Sequence, residues 1–163
     1  MRHYFSRHQS PCGVRNVSLA GAGGAVAIGV LGSLTYYTGH PLLMAPFGAS
    51  CVLLFSVPNS PLSQPVNVVC GHLLATLVGL LLRQYLPDTW WAAALAVGLA
   101  IALMAAFRVT HPPAGADPIV VFATHPGFGF LILPVLIGSV ALVVIASLFH
   151  AGSGTVYPLR KGA

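Results

Sequence analysis

The sequence predicts an all-α integral membrane protein made of two pseudo-repeats, each a long helix, a broken half-helix and a second long helix. That gives four long transmembrane helices plus two short discontinuous segments. Three observations carry this reading. Only 6% of the residues are charged, against roughly 25% in a soluble domain, so the chain cannot cover a water-exposed surface. Four apolar stretches, about 17–37, 66–86, 90–107 and 128–149, approach the roughly 20 helical residues that cross a hydrocarbon core about 30 Å thick. Two further apolar stretches, 42–57 and 113–124, are too short to cross as plain helices, and they resemble each other.

Residues 1–15 form a basic N-terminal tail with Arg2, Arg7 and Arg15, expected to be cytoplasmic. The apolar segment after it is too long for a secretory signal and lacks a clear small-residue cleavage site, so it should stay as an anchor. The transmembrane domain occupies 16–150, with one repeat over about 17–86 and the other over about 90–150. Residues 151–163 form a second cytoplasmic tail containing Arg160 and Lys161. No Lys or Arg lies between Arg15 and Arg83, so the charge rule puts both termini inside, in a bacterial inner membrane. An even number of crossings follows, four or six. Four makes the short segments re-entrant and the repeats parallel. Six makes each repeat cross three times and inverts the copies. Extended "HPLLMAP" followed by a half-helix reaches about 30 Å at roughly 3.3 Å and 1.5 Å per residue, which favours inversion.

The repeat emerges when "PFGASCVLLF" (46–55) is laid on "PAGADPIVVF" (113–122). Pro46 meets Pro113, Gly48 meets Gly115, Phe55 meets Phe122 and Ser50 meets Asp117. The same offset carries Gly71 onto Gly138. Small residues four apart form stripes in the long spans: Gly21, Ala25, Gly29 and Ser33; Gly71, Ala75 and Gly79; Ala94, Gly98, Ala102 and Ala106. Such faces let membrane helices pack closely, and homo-oligomerisation is expected.

The stretch "RVTHPPAGADPIVVF" (108–122) carries most of the intramembrane polarity. Proline lacks an N–H, suits a first helical turn and holds its predecessor extended, so a helix should start near Pro112 or Pro113. A helix N-terminus at membrane depth presents partial positive charge and free N–H donors, a site for a small anion. The first repeat offers a second such end near Ala45 to Gly48. The expected substrate site is therefore His111, Pro112, Pro113, Ala114, Gly115 and Asp117 with Pro46, Phe47, Gly48 and Ser50, shared by two half-helices near the midplane. Asp117 has three open roles: capping its own helix, pairing with Arg108 or a histidine, or carrying a proton or cation. His72, Asn67 and Arg108 are expected at a gate or steering position, each with a plainer alternative. His72 would be a packing residue, Asn67 a helix cap and Arg108 an interfacial snorkel.

Those motifs, "THPPAGADP", "APFGASCVLLF" and "SPLSQPVNVVCGHLLATLVG", together with the helix order, resemble the HPP family of integral membrane proteins over about residues 16–150. The family name is the motif His111-Pro112-Pro113. The resemblance implies membrane transport. Because members from photosynthetic lineages are associated with nitrite transport, including into plastids, it suggests nitrite as substrate. Some members carry extra cytoplasmic regulatory domains, and none is expected here. The function expected is thus a transporter or channel for a small inorganic anion such as nitrite, seated in a lipid bilayer. The alternatives are a proton- or cation-coupled carrier using Asp117 and His111, and a non-transporting accessory membrane subunit. Cys12, Cys51 and Cys70 have no metal or redox spacing, and no metal site or cofactor is expected. No nucleophile stands with a base, so no enzyme is expected. The basic residues form no aromatic-interleaved patch, so no nucleic acid is expected either.

Overall fold

A computed structural model describes residues 2–159; Arg160 and Lys161, which belong to the charge pattern above, lie outside them. Over those residues the chain is helical, without strands. The α-helices are α1 (Val14–Thr38), α2 (Pro46–Ser56), α3 (Pro65–Tyr85), α4 (Trp90–Ala106), α5 (Asp117–Thr124) and α6 (Ile137–Ser153). Three spans are long and apolar enough to cross a membrane: Val14–Thr38, Pro65–Tyr85 and Phe128–Ser153.

Proline and glycine place the boundaries. Pro46 and Pro65 occupy the first positions of α2 and α3, where a missing N–H costs nothing. A 3-10 turn, Pro112–Ala116, leads directly into α5. Gly39, at φ 70°, and Gly154, at φ 75°, end α1 and α6 in the left-handed region that glycine enters without steric cost.

Contacts fix the direction of each element. Arg15 Nη2 donates to the Ser153 carbonyl, so the start of α1 and the end of α6 share one end of the bundle, called here the near end. Leu42 N–H donates to Thr35 Oγ1 while Phe55 packs on Gly23, so residues 39–56 return along α1 towards the near end. Ser63, just before α3, accepts from Tyr157 Oη at the near end. α3 then runs to the far end, and α4 returns antiparallel, with Ala92 and Ala96 beside Leu82 and Met104 beside Gly71. Residues 107–124 run back alongside α3, His111 at Gly71 and Val121 at Gly79. α6 closes the bundle, Gly138 against Phe47 and His150 against Leu54.

The core forms where these elements meet. Phe47, Leu54 and Phe55 of α2 bury against Ala27 and Leu31 of α1 and Leu142 and Ala146 of α6. The small face of α3 lets 107–124 come close. A Cβ at Gly71 would lie 2.8 Å from His111 Cβ, and one at Gly79 would lie 3.0 Å from Pro118 Cα.

Three expectations need correction. α4 has 17 residues, about 25 Å at 1.5 Å per residue, so it is shorter than a plain crossing helix. The last span is not one helix from its start. Pro134 has no N–H to continue the ladder, and Leu133, at φ −126° and ψ 118°, breaks it before α6 begins. The stripes Gly21, Ala25, Gly29, Ser33 and Ala94, Gly98, Ala102, Ala106 face outward, apart from contacts made by neighbouring residues. The inner faces are Gly23, Ala27, Leu31 on α1 and Ala92, Ala96, Ala100, Met104 on α4. Only the α3 stripe, Gly71, Ala75, Gly79, packs as expected.

Candidate functional site

At mid-depth the bundle encloses a polar cluster drawn from four elements. α2 supplies Ser50, α3 supplies His72 and Thr76, the extended lead-in to Pro112 supplies His111, and α5 supplies Asp117. All five are fully buried. Ser50 Oγ lies 2.8 Å from His72 Nε2 and 2.9 Å from His111 Nε2. His72 Nδ1 lies 2.7 Å from Asp117 Oδ2, which also accepts from Thr76 Oγ1 at 3.1 Å. His111 Nδ1 donates to the Leu62 carbonyl at 2.8 Å. Asp117 Oδ1 is buried without a partner.

Local sequence explains why these groups converge. Pro112 holds His111 extended, at φ −134° and ψ 102°, so its ring leaves the helix path and reaches across to α2. Gly71 lets the His111 backbone sit against α3, which places His72 beside it. Thr76 is one helical turn beyond His72, on the same face. Phe47 packs edge-on against His72, ring centroids 5.2 Å apart, and shields the cluster on the α6 side.

The structure sorts the expected site residues. Ser50, His111 and Asp117 are brought together, and His72 joins them. Asp117 makes no side-chain cap on α5, so capping yields to pairing with His72. Arg108 is exposed and forms no ion pair among the described residues. Asn67 does not cap α3 either; its Nδ2 donates to the Thr110 carbonyl at 2.9 Å and tethers the lead-in to His111. Pro46, Pro112 and Pro113 line a shallow apolar groove of about 650 Å³ between the two half-helices, with Ala45, Ala49 and Ala116. Gly48 lines a second groove, of about 1110 Å³, that runs between α1 and α2. Ala114 is buried against Ala75 and Met104. Gly115 is half-buried, with open space where a Cβ would stand.

The expected free donors at the half-helix ends are already used. Phe47 and Gly48 N–H donate back to the Met44 and Ala45 carbonyls, Ala114 N–H to His111 and Asp117 N–H to Ala114. Pro46, Pro112 and Pro113 have none. The donors available to an anion here belong to side chains, not to the first turns. Thr76 and the Leu62 carbonyl were absent from the sequence reading. The signal for Thr76 is its spacing of four from His72; nothing in the sequence marks Leu62. Among the described residues no group of three or more His, Cys, Asp or Glu is placed to hold a metal. At the near end, His150 Nε2 donates to the Leu54 carbonyl. Burial pushes the Tyr157 phenol pKa up, keeping it a donor to Ser63.

The histidine that reaches Ser50 begins the His111-Pro112-Pro113 motif, and the chain matches the profile of the family described as HPP, transmembrane region, over residues 9–158. The chain belongs to the HPP family. Two transmembrane proteins of Dictyostelium discoideum are similar to it. One is 39% identical over 113 residues, covering 64% of this chain and 40% of its own length; the other is 38% identical over 112 residues, covering 64% and 36%. The chain thus spans well under half the length of these two relatives. No solved structure matches it.

Proposed function

We propose that this HPP protein is a membrane transporter for a small inorganic anion, nitrite being the first candidate, and that its pathway passes the junction of the two half-helices. The observation that carries the reading is the link from α2 to the extended lead-in before Pro112, Ser50 Oγ to His111 Nε2 at 2.9 Å, between two fully buried side chains. Buried ionisable groups at membrane depth are expensive and are kept where they act on a substrate or a proton. Interrupted helices meeting at mid-depth are a recurring way to build such a site.

The chain directions support six crossings. α1, α3 and residues 107–124 run towards the far end; residues 39–56, α4 and α6 run back. Each half then crosses three times and the halves are inverted. The offset that aligns the half-helices supports this reading too. Gly71 receives the Val109 carbonyl and Gly138 receives the Leu42 carbonyl, and both pairs differ by that same offset. With six crossings Arg7, Arg15 and Arg108 share the near end, which the positive-inside rule makes cytoplasmic.

The test is flux into proteoliposomes with a panel of nitrite, nitrate, chloride and formate, each compared with protein-free vesicles. Saturable flux of at least one anion is expected. No flux of any ion identifies a non-transporting membrane subunit.

A further inference from the structure

The hydrogen-bond geometry of the buried cluster restricts how many protons it can hold. The Leu62 carbonyl can only accept, so His111 Nδ1 carries a hydrogen. Ser50 has one hydroxyl hydrogen and two imidazole nitrogens within 2.9 Å, so at least one imidazole must donate to it. Suppose both histidine Nε2 atoms were bare. The hydroxyl could satisfy one, and the other would face the oxygen lone pair to lone pair. That arrangement, with Asp117 ionised, is the state the geometry rejects.

Two states keep every contact. In the first, Ser50 donates to His111 Nε2 and accepts from His72 Nε2–H, and a proton sits between His72 Nδ1 and Asp117 Oδ2. The cluster is then neutral. An equivalent neutral form arises when His72 Nε2 passes its proton to Ser50 Oγ as Ser50 passes its own to His111 Nε2. In the second state one more proton has arrived. Both Nε2–H groups donate to Ser50, and the hydroxyl turns to the Pro46 carbonyl, 3.3 Å away. No contact breaks, and the cluster carries one positive charge.

Among the described residues no other charged group pairs with it. α4 has no titratable side chain, and the one titratable side chain on α6, His150, lies at the near end, held by the Leu54 carbonyl. The titratable groups facing the cluster are His72, His111 and Asp117 themselves, and Ser50 and Thr76 complete it. A positive charge in an apolar bundle requires a counter-ion. We infer that Ser50 is the switch of a one-proton relay, and that the proton it admits is carried together with one monovalent anion at the half-helix junction, so that transport is an electroneutral symport of one proton per anion. This rests on the anion-transport reading above and specifies its coupling.

The test uses the full chain in proteoliposomes with an imposed pH gradient, and nitrate or chloride beside nitrite because nitrous acid crosses bare lipid. The transported anion should accumulate about tenfold per pH unit, since one pH unit is a factor of ten in an equilibrium. A potassium diffusion potential should leave accumulation unchanged. Ser50→Ala, which removes the switch, should abolish pH-driven accumulation, and Ser50→Thr, which keeps a hydroxyl, should retain it. Asp117→Asn, whose amide cannot exchange the shared proton, should also lose it. Wild-type flux indifferent to the pH gradient, accumulation of about a hundredfold per unit by the same equilibrium, or full accumulation by Ser50→Ala each overturns the relay while the anion reading stands. Absence of flux for every anion overturns the anion reading itself.

Discussion

Residues 39–56 leave α1 through a glycine, Gly39 at φ 70°, whereas residues 107–124 leave α4 through an arginine, Arg108 at φ 60°. Both segments then run extended, dock a backbone carbonyl against a glycine of a long helix, and turn into a short helix that starts at proline. The mechanics match and the chemistry does not. The first segment contributes one hydroxyl, Ser50, to the buried cluster, and its histidine, His40, is exposed. The second contributes His111 and Asp117. The receiving helices differ in the same sense: Gly71 is followed by His72, which pairs with Asp117, while Gly138 is followed by Ser139, which donates to the Leu136 carbonyl of its own chain turn. One short segment thus contributes only a hydroxyl, while the other carries two titratable groups and meets the third, His72, on the helix that receives it. Matching mechanics in two segments does not require matching chemistry.

The docking glycines give the largest expected effect. A Cβ at Gly138 would lie 2.4 Å from Phe47 Cε2 and 2.7 Å from the Leu42 carbonyl oxygen. One at Gly71 would lie 2.8 Å from His111 Cβ and 3.1 Å from the Val109 carbonyl oxygen. Gly138→Ala and Gly71→Ala should each destabilise by about 1–3 kcal/mol, the usual cost of overpacking, read from thermal unfolding in detergent. If the halves are mechanically equivalent the two losses are similar. A loss confined to Gly71→Ala would tie the close approach to the His111 side alone.

Gly48 and Gly115 make the opposite case, because a Cβ at either meets nothing within 4 Å. Gly48→Leu and Gly115→Leu should leave folding intact, and Gly48→Leu should add roughly 0.5–1 kcal/mol because glycine is a poor helix residue. Neither glycine lines the groove between the half-helices, whereas Ala49 and Ala116 do. Anion flux should therefore stay at the wild-type rate in both glycine variants. It should fall to the protein-free rate in Ala49→Leu and Ala116→Leu if the pathway passes the half-helix junction. Normal flux in the two alanine variants, measured on correctly inserted protein, moves the pathway elsewhere.

The sequence exposes the class of fold and part of this asymmetry. Scarcity of charge decides for the membrane. Proline, which fixes φ and lacks an N–H, marks both half-helices. The alignment of Ser50 with Asp117, and the His111 motif, single out three of the five cluster residues. The partners of Asp117 are another matter. They depend on how α3 is rotated, and Gly71 sets that rotation by packing on a residue forty positions away. The α1 and α4 stripes are misleading for a related reason. An alanine-rich helix has more than one small face, and hydrocarbon does not penalise an alanine that faces it. Ala92, Ala96, Ala100 and Ala94, Gly98, Ala102 are hard to rank by composition; the fold buries the first set.

The smallest expected effect concerns the two turns that open this comparison. Glycine adopts the left-handed conformation freely, while another residue in it gives up roughly 1 kcal/mol. Arg108→Gly should therefore stabilise the protein by up to about 1 kcal/mol if the side chain does nothing else, because the arginine is exposed and unpaired among the described residues. Arg108→Gln keeps the cost of the turn and removes only the charge. An arginine that draws anions towards a vestibule acts through a long-range field, so its loss slows uptake at low ionic strength and matters little at high salt. The pair of variants separates conformation from charge. Thermal unfolding reads the first, and initial nitrate uptake at low and high salt reads the second. We expect Arg108→Gly to raise the unfolding temperature and both variants to lower low-salt uptake to the same degree. Equal uptake by wild type and both variants at every salt concentration would leave Arg108 as an interfacial side chain tolerated at a turn where the first half of the molecule uses glycine.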